Sequence, residues 1–424
     1  MTGATLAGRA AWLSEPHLQK LLACLSEGGE EARIAGGAVR NALLGQPVSD
    51  IDIATTTLPE ETARRGKAAG FKVAETGAEH GTITLIAAGR PYEVTTLRAD
   101  VETDGRRAKV VFGRDWKADA ERRDFTINGL YALADGTVID LVGGIDDLER
   151  RLIRFIGDSE TRIREDYLRI LRFFRFFAWF GTGRPDAEGL KACARLKDGL
   201  DRLSAERVWS ELKKLLSAPD PSRALLWMRQ TGVLTAVLPE SEKWGIDSIH
   251  ALVKAEQDLG WAPDPMLRLA AIVPPQESRM ADLATRLRLS SIEGDRLKSW
   301  ARSDAVAAAT QEGLLAARLY RGDPRAIRDR VKLALASARA RAVEEDAALL
   351  EAGGYSRLLR FMDAWQRPVF PVRGADFQGA PGVKGPALGR LLKSLEEIWI
   401  ESGFSLDRDA LLERAADLVE DTRG

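Results

Sequence analysis

Ala35-Gly36-Gly37-Ala38-Val39-Arg40-Asn41-Ala42-Leu43-Leu44-Gly45, followed by Ser49-Asp50-Ile51-Asp52-Ile53-Ala54-Thr55, decides how the N-terminal part of this chain is read. In the second stretch polar and apolar residues alternate, the pattern of a half-buried strand. Side chains two apart on a strand project together, so Asp50 and Asp52 share a face and can hold hard cations between them. Mg²⁺ takes oxygen ligands, keeps part of its water, and is commonly held by one or two carboxylates plus substrate phosphates. Gly36 and Gly37 stand just before a helical run over residues 38–44. Glycines there let backbone N–H groups approach a triphosphate at a helix N-terminus, and Arg40 adds a forked donor. The plainer reading is a tight turn beside an exposed strand end, and for an isolated Asp-x-Asp it is preferred. The glycine pair, the arginine and both carboxylates together favour a nucleotide and metal site.

Outward from that stretch, residues 11–26 carry helical periodicity, with Leu13, Leu18, Leu21, Leu22 and Leu25 forming an apolar stripe. Residues 32–35 read as a strand entering the glycine pair. Leu58-Pro59-Glu60-Glu61-Thr62 turns into a helix reaching residue 69, stopped by Gly70. Residues 71–74, 81–87 and 91–97 read as three short strands, the last placing Glu93 on a β-rich segment. A third carboxylate near the Asp pair would complete a metal site or activate an attacking hydroxyl. A solvent-facing Glu on an edge strand is the equal alternative.

With 424 residues, the chain has room for two to four domains. Hydrophobic residues make up 45%, enough for sizeable cores, and charged residues 29%, yet the formal net charge is −1. A nucleic-acid partner therefore has to be held by a local basic patch. The two cysteines, Cys24 and Cys193, have no metal-ligand spacing and suit a reducing, cytoplasmic setting. No apolar run is long enough to span a bilayer, and residues 1–9 carry no secretory apolar region, so no membrane partner is expected.

The constellation of Gly36-Gly37, Arg40, Asp50 and Asp52 resembles, residue for residue, the signature of the class II tRNA nucleotidyltransferase and bacterial poly(A) polymerase family. Asn41 departs from it, standing where that family often has Asp. The family has an acidic residue on the strand matching Tyr92-Glu93-Val94-Thr95-Thr96-Leu97-Arg98, which supports Glu93. Residues 99–120 are polar, with a Thr-Asp-Gly-Arg-Arg turn signal, and read as a mobile loop. In relatives the matching loop takes part in the switch from adding C to adding A; a surface insertion without a role is the competing reading. Arg122-Arg123-Asp124-Phe125-Thr126-Ile127-Asn128-Gly129-Leu130 is similar to a second signature, whose arginine before the Asp contacts the nucleotide. Arg123 holds that position, and Gly129 replaces the usual Ala. A strand over 137–141, Gly143-Gly144 and a helix over 145–151 close the α/β head.

Arg162-Ile163-Arg164-Glu165-Asp166-Tyr167-Leu168-Arg169-Ile170-Leu171-Arg172-Phe173-Phe174-Arg175-Phe176 reads as one helix, with Leu168, Leu171, Phe174 and Ala178 facing a core. On a helix Asp166 and Arg169 are i, i+3 neighbours and can point at one spot. Cytosine and adenine share an exocyclic amine beside a ring-nitrogen acceptor, whereas guanine and uracil present a carbonyl next to a ring N–H. An Asp accepting from the amine and an Arg donating to the ring nitrogen admit C and A, because G or U would leave buried polar groups unpaired. Steps of three residues drift about 60° backwards on a helix. Arg175 then lies far around from Asp166 and Arg172 is intermediate, so both suit phosphates, RNA or packing. The family places Asp166, Arg169, Arg172 and Arg175 at nucleotide-binding positions. A solvated i, i+3 ion pair is what an arbitrary Asp-x-x-Arg would be.

Beyond residue 190 nearly everything reads as helix. Leu203-Ser204-Ala205-Glu206-Arg207 begins with a Ser cap and resembles a family segment bracing the nucleotide helix. Residues 219–221, 263–265 and 274–275 and Gly353-Gly354 punctuate the remainder. Residues 331–350 read as an Ala-rich core helix packed by Leu333, Leu335, Val343 and Leu349. A glycine-rich turn over 379–389 runs into Pro386, with Lys384, Arg390 and Lys393 nearby. It suits RNA phosphates and resembles the family's tRNA-gripping tail, though such turns also serve as plain loops. His17, His80 and His250 are not followed by Asp, so the His-Asp phosphohydrolase domain of some relatives is absent.

The fold class expected is α+β: an N-terminal nucleotidyltransferase α/β head over residues 1–148, then all-α neck (149–218), body (219–350) and tail (351–424) regions. The resemblance implies a Mg²⁺-dependent enzyme adding CCA to a tRNA 3′ end from CTP and ATP. Asp50 and Asp52 would be catalytic and metal-binding, with Glu93 beside them. Gly37, Arg40, Arg123, Asp166, Arg169, Arg172 and Arg175 would bind nucleotide. An A-adding enzyme or poly(A) polymerase, or a non-catalytic RNA-binding protein, remain alternatives, and the oligomeric state stays open.

Overall fold

A computed structural model describes residues 4–74, 81–99, 111–242, 245–378 and 384–421. The chain divides into two compact units, Met1–Val237 and Leu238–Gly424. In the first, the element order is α1 (Pro16–Leu25), β1 (Ala32–Ala35), α2 (Gly37–Leu43), β2 (Asp52–Thr55), α3 (Pro59–Ala68), β3 (Lys72–Ala74), β4 (Thr82–Ala87), β5 (Arg90–Thr96), β6 (Arg98–Ala99), β7 (Val111–Phe112), α4 (Trp116–Glu121), β8 (Leu130–Ala132), β9 (Val138–Asp140) and α5 (Gly144–Glu149). Helices α6 (Ser159–Glu165), α7 (Leu168–Phe180), α8 (Ala187–Leu196), α9 (Ala205–Leu216), α10 (Ser222–Gln230) and α11 (Val233–Val237) complete it.

Seven strands form one mixed sheet in the order β3-β4-β5-β2-β1-β8-β9. The β2–β5 pair is parallel and every other pair in this sheet is antiparallel. This places β2 centrally, between β1 and β5. Strand β2 begins at Asp52, so Asp50 precedes the strand rather than belonging to it. The alternation nonetheless continues through it: Ile51 and Ile53 are buried while Asp50 and Asp52 are open.

Local chemistry adjusts several expected boundaries. Residues 11–26 are a 3-10 turn, Ala11–Ser14, followed by α1, because Pro16 sits at the first turn where its missing N–H costs nothing. All five stripe leucines are buried. The stretch expected as a loop over 99–120 is ordered at its ends: Arg98 and Ala99 pair with Phe112 and Val111, and the Asp115 side chain caps α4. The middle of that stretch, residues 100–110, lies outside the described residues.

The largest correction concerns residues 162–176, which are two helices. Asp166 adopts an extended conformation (φ −154°, ψ 107°) between α6 and α7. Its carboxylate accepts from the Leu168 N–H and its carbonyl from the Arg169 N–H, so Asp166 acts as a start signal for the second helix. Helix α7 then buries Leu168, Ile170, Leu171, Phe173, Phe174, Phe176, Phe177 and Phe180, whereas Ala178 is only partly covered. Phe125 packs against this helix, its ring 6.3 Å from Phe173 and 5.1 Å from Phe176, and Phe155 stacks on Phe173 at 5.5 Å. The aromatic cluster ties the Arg-Asp-Phe-Thr-Ile-Asn segment to α7.

The second unit is helical: α12 (Ile246–Leu259), α13 (Pro265–Ile272), α14 (Glu277–Arg286), α15 (Ser291–Arg302), α16 (Glu312–Arg321), α17 (Pro324–Arg341), α18 (Asp346–Ala364), α19 (Pro386–Glu401) and α20 (Arg408–Asp421). Residues 331–350 are not one core helix, since the chain turns between α17 and α18. Leu335 is buried and Leu333 partly so, but Val343 and Leu349 are exposed. Gly353 and Gly354 lie inside α18 rather than breaking it. A Cβ on Gly354 would come 2.6 Å from the Ala308 carbonyl oxygen, so the glycine admits close backbone packing. The expected body–tail boundary at 350/351 falls within this helix. Pro386 opens α19, while 379–383 of the glycine-rich turn are outside the described residues. Among the described residues no helix is long and apolar enough to cross a membrane, and Cys24 and Cys193 are free thiols.

Candidate active site

A cavity of about 460 Å³ opens in the first unit where α2, β2, the 122–128 segment, α7 and α9 meet. Gly36 sits at φ 61°, a conformation glycine adopts at little cost, and turns β1 into α2. A Cβ there would stand 3.1 Å from Arg123 Nη1 and 3.4 Å from the Asn128 carbonyl oxygen, so an arginine side chain and a backbone carbonyl crowd the turn. Gly37, Arg40, Asp52 and Arg123 also line the cavity.

Arg40 is 8% exposed, beneath the Phe180 ring at 4.1 Å. Its Nε and Nη2 donate to Asn41 Oδ1 at 3.1 and 2.9 Å, and its Nη1 donates to Asn128 Oδ1. Asn41, the departure noted in the sequence, thus orients this guanidinium as an acceptor. Burial and the Arg175 charge pull Arg40 down to about 10, opposed by Asp124, which leaves it a cation near neutral pH. Asn128 in turn donates to Asp124 Oδ1 at 2.9 Å, and Asp124 Oδ2 accepts from Arg172 Nε at 2.7 Å. Burial disfavours the Asp124 charge, but Arg172 and these hydrogen bonds hold its carboxyl below the ordinary value. One chain of hydrogen bonds therefore joins the glycine turn to α7.

Asp119 holds Arg123 from below. Its Oδ2 accepts from Arg123 Nη2 at 3.1 Å and from the Tyr131 hydroxyl at 2.6 Å, while Arg122 pairs with Oδ1. The Asp119 carboxyl is itself 1% exposed; burial opposes its charge, but Arg123 and Arg122 keep it below the usual range.

Asp52 faces the cavity, and Glu93 stands opposite it on β5 in the parallel register. Solvent reaches Asp52, yet lost hydration, then Glu93 and Asp50, raise its carboxyl above the usual value, against the pull of Arg123. Such crowding of like charge is what a cation relieves. Asp50 and Glu93 do not line the cavity itself, and Asp50 accepts from the Ser49 hydroxyl at 2.9 Å. Among the described residues, no three His, Cys, Asp or Glu side chains form a ready metal cage. Two carboxylates completed by substrate phosphates and water fit a hard divalent cation without one.

Asp166, Arg169 and Arg172 line the other side of the cavity, but the expected i, i+3 helical relation between Asp166 and Arg169 is replaced by the break. Asp166 Oδ2 accepts from Arg207 Nη2 at 2.7 Å, and Arg169 Nη1 donates to Glu165 at 2.5 Å and to the Arg162 carbonyl at 2.8 Å. Arg175 is not in the lining: its Nε donates to Glu211 at 2.6 Å and its guanidinium carbon lies 4.3 Å from the Phe176 ring centre. Arg207, Asn128 and Asp119 escaped the sequence reading as site residues. Asn128 lay in plain view within the second signature, and Asp119 stands four residues before Arg123, but the Arg207 contact with Asp166 had no local signal. The Ser204 cap of α9 is present, and Arg207, whose N–H it accepts, lines the cavity.

Residues 32–154 match the family described as the Poly A polymerase head domain, and residues 184–244 the one described as the probable RNA and SrmB-binding site of polymerase A. The mitochondrial CCA tRNA nucleotidyltransferase 1 of Mus musculus is 36% identical over 404 residues, covering 93% of this chain and 88% of that protein. The solved structure of the Bacillus stearothermophilus CCA-adding enzyme in complex with CTP is 26% identical, with a TM-score of 0.70, over 95% of this chain and 98% of that one. The Thermotoga maritima CCA-adding enzyme complexed with tRNA shares the fold at a TM-score of 0.67 and 20% identity, over 99% and 100% of the two chains.

Proposed function

The chain belongs to the CCA tRNA nucleotidyltransferase family, and on that premise we propose that it adds C, C and A to the 3′ end of tRNA from CTP and ATP, releasing pyrophosphate. The observation that carries this reading is one cavity bordered by Asp52, by the Gly36-Gly37 turn with Arg40 and Arg123, and by Asp166 with Arg169. A carboxylate for the reacting end, cations for a triphosphate and an acceptor–donor pair for a base edge are what the reaction needs together.

Asp166 accepts from the exocyclic amine shared by cytosine and adenine, and Arg169 donates to the neighbouring ring nitrogen. For both, incoming base must replace a present partner: Arg207 on Asp166 and Glu165 on Arg169. Arg40 and Arg123, fixed by Asn41, Asn128 and Asp119, neutralise charge on the phosphates as it develops. Arg172 supports Arg40 through Asp124 and Asn128, and Arg175 supports α7 through Glu211. The RNA 3′ oxygen gives up its proton to a base and bonds to the α-phosphorus, the bond from that phosphorus to the bridging oxygen breaks, and the β- and γ-phosphates leave together as pyrophosphate.

Enzymes of this family generally use a divalent metal. We take it to be Mg²⁺, held by Asp50 and Asp52, where it would supply Lewis-acid stabilisation of the attacking and leaving oxygens. Glu93, beside Asp52, adds the negative charge that draws a cation there or receives the hydroxyl proton. The four-part division into head, neck, body and tail is retained as a proposal, with the tail boundary moved to the end of α18. The compartment is proposed as cytoplasmic on the free thiols, with the mitochondrial setting named for the mouse relative as the alternative; fractionation of the tagged native protein decides it.

The test is extension, at single-nucleotide resolution, of a tRNA ending at its discriminator base. Two additions with CTP alone and a third requiring ATP are expected. Addition of A only would move the chain to the A-adding alternative, and binding without any transfer would leave a non-catalytic RNA-binding protein.

A further inference from the structure

Asp166 sits next to the tightest glycine contact among the described residues. The 3-10 turn Lys197–Arg202 carries Gly199 beneath the ring of Tyr167. A Cβ on Gly199 would lie 1.9 Å from Tyr167 Cε1, 2.0 Å from Cδ1 and 2.5 Å from Cζ. Gly199 has no positive φ, so the ring, and not backbone strain, is what presses hardest against a side chain there. The Arg202 guanidinium carbon lies 5.3 Å from the same ring's centre. Tyr167 is helical (φ −61°, ψ −17°) where Asp166 is extended, so the chain changes direction between these two residues.

We propose that Tyr167, seated on Gly199, is the positioning element that aims the Asp166 carboxylate and thereby sets the choice of C and A over U and G. The proposal rests on the reading of Asp166 as the acceptor for the base amine. Selection by hydrogen-bond polarity works only while the acceptor is held in place, within about 0.5 Å and 10–20° of the productive geometry. Asp166 lies in neither helix, and among the described residues its carboxylate is directed by the Leu168 N–H and the half-exposed Arg207 guanidinium. The ring anchors the adjacent backbone. Without that anchor the carboxylate can swing away from a mismatched carbonyl and no longer penalises it.

The test compares the full chain with Tyr167→Phe, Tyr167→Ala, Gly199→Ala and Asp166→Ala, measuring kcat/KM for CTP and UTP on tRNA lacking CCA, with a thermal midpoint for each. Tyr167→Phe keeps every ring atom that touches Gly199 and should preserve the CTP preference. Tyr167→Ala and Gly199→Ala should lower the CTP-to-UTP ratio about tenfold, independently of any shift in midpoint. If Asp166→Ala collapses the ratio while both of those variants hold it within about twofold, the contact is packing alone and the proposal falls. If Asp166→Ala itself leaves the ratio unchanged, the reading of Asp166 falls first. Should Gly199→Ala not fold, Tyr167→Ala decides, because it removes bulk instead of forcing it in.

Discussion

Asp52 on β2 and Glu93 on β5 stand directly opposite each other across a parallel strand pair, with Asp50 just ahead of the same strand. The pairing concentrates negative charge on two adjacent inner strands of the sheet. The Asp52 carboxyl is consequently harder to ionise than usual, through lost hydration and then through Glu93 and Asp50.

Asp52→Asn should therefore stabilise the metal-free fold at pH 7 while removing at least about a hundredfold of transfer activity. The native carboxyl binds its proton more tightly folded than unfolded, so its contribution to stability falls as pH rises from the unfolded value near 3.8 through the raised folded one. The advantage of the variant should shrink on acidification and vanish below that window. Thermal melts in chelator across pH, beside an extension assay, check both parts; a variant less stable than the native chain at pH 7 would contradict the electrostatic account.

Chelation should stop transfer, and added Mg²⁺ should restore it, because two carboxylates and substrate phosphates supply the oxygen ligands such an ion requires. Isothermal titration of Mg²⁺ with and without a non-reacting CTP analogue measures the same point independently. Tighter binding with the analogue is expected, since no three-ligand cage exists among the described residues. Equal affinity in both titrations would count against it.

Gly36→Ala forces a positive φ on a residue with a Cβ, at roughly 1–2 kcal/mol, and brings that Cβ to 3.1 Å from Arg123 Nη1. The arginine that faces the phosphates must yield. KM for CTP and ATP should rise together, with the C-over-U ratio intact, because Asp166 and Arg169 are untouched. Steady-state kinetics with all three nucleotides separate this from a general loss of fold.

Arg175→Met should act on stability rather than on nucleotide binding. Glu211 is 6% exposed on its side chain and, among the described residues, would be left with Lys214 at 4.0 Å as its one cationic partner, a loss of about 3 kcal/mol. Glu211→Gln in the same background should recover part of it. Arg172→Met, by contrast, removes a cavity-lining cation and frees Asp124, so it should raise the nucleotide KM. Both variants should lose stability in urea unfolding, because Asp124 is nearly as buried as Glu211, but only Arg172→Met should raise the KM.

Much of the head was legible because its signals are local. Proline and glycine punctuation around α3 and the turn residues between β3, β4 and β5 act on residues within a turn of themselves, as does the Ser204 cap beyond the head, whereas the Asp115 cap went unread within a stretch taken as a loop. Where local propensity was uniform, reading by period misled. Residues 162–176 have apolar and basic residues at helical spacing throughout, and only the capping action of Asp166 interrupts them. Residues 331–350 have the same uniformity, and Gly353-Gly354 gave a break signal that packing against Ala308 overrides.

The sequence by itself determined that two carboxylates share one face beside a glycine turn and an arginine, since a two-residue period and a glycine-to-helix junction depend on neighbours alone. Tertiary structure decided the rest of the site. It set Glu93 opposite Asp52, joined Arg40 to Arg172 through Asn128 and Asp124, gave Arg207 to Asp166 and Glu211 to Arg175, and laid Tyr167 on Gly199. All of those contacts except the Asn128–Asp124 bond link elements far apart along the chain, and long side chains such as arginine reach whichever acceptor the packing brings near. Spacing specifies which groups can share a face; only the folded arrangement specifies which partner each of them meets.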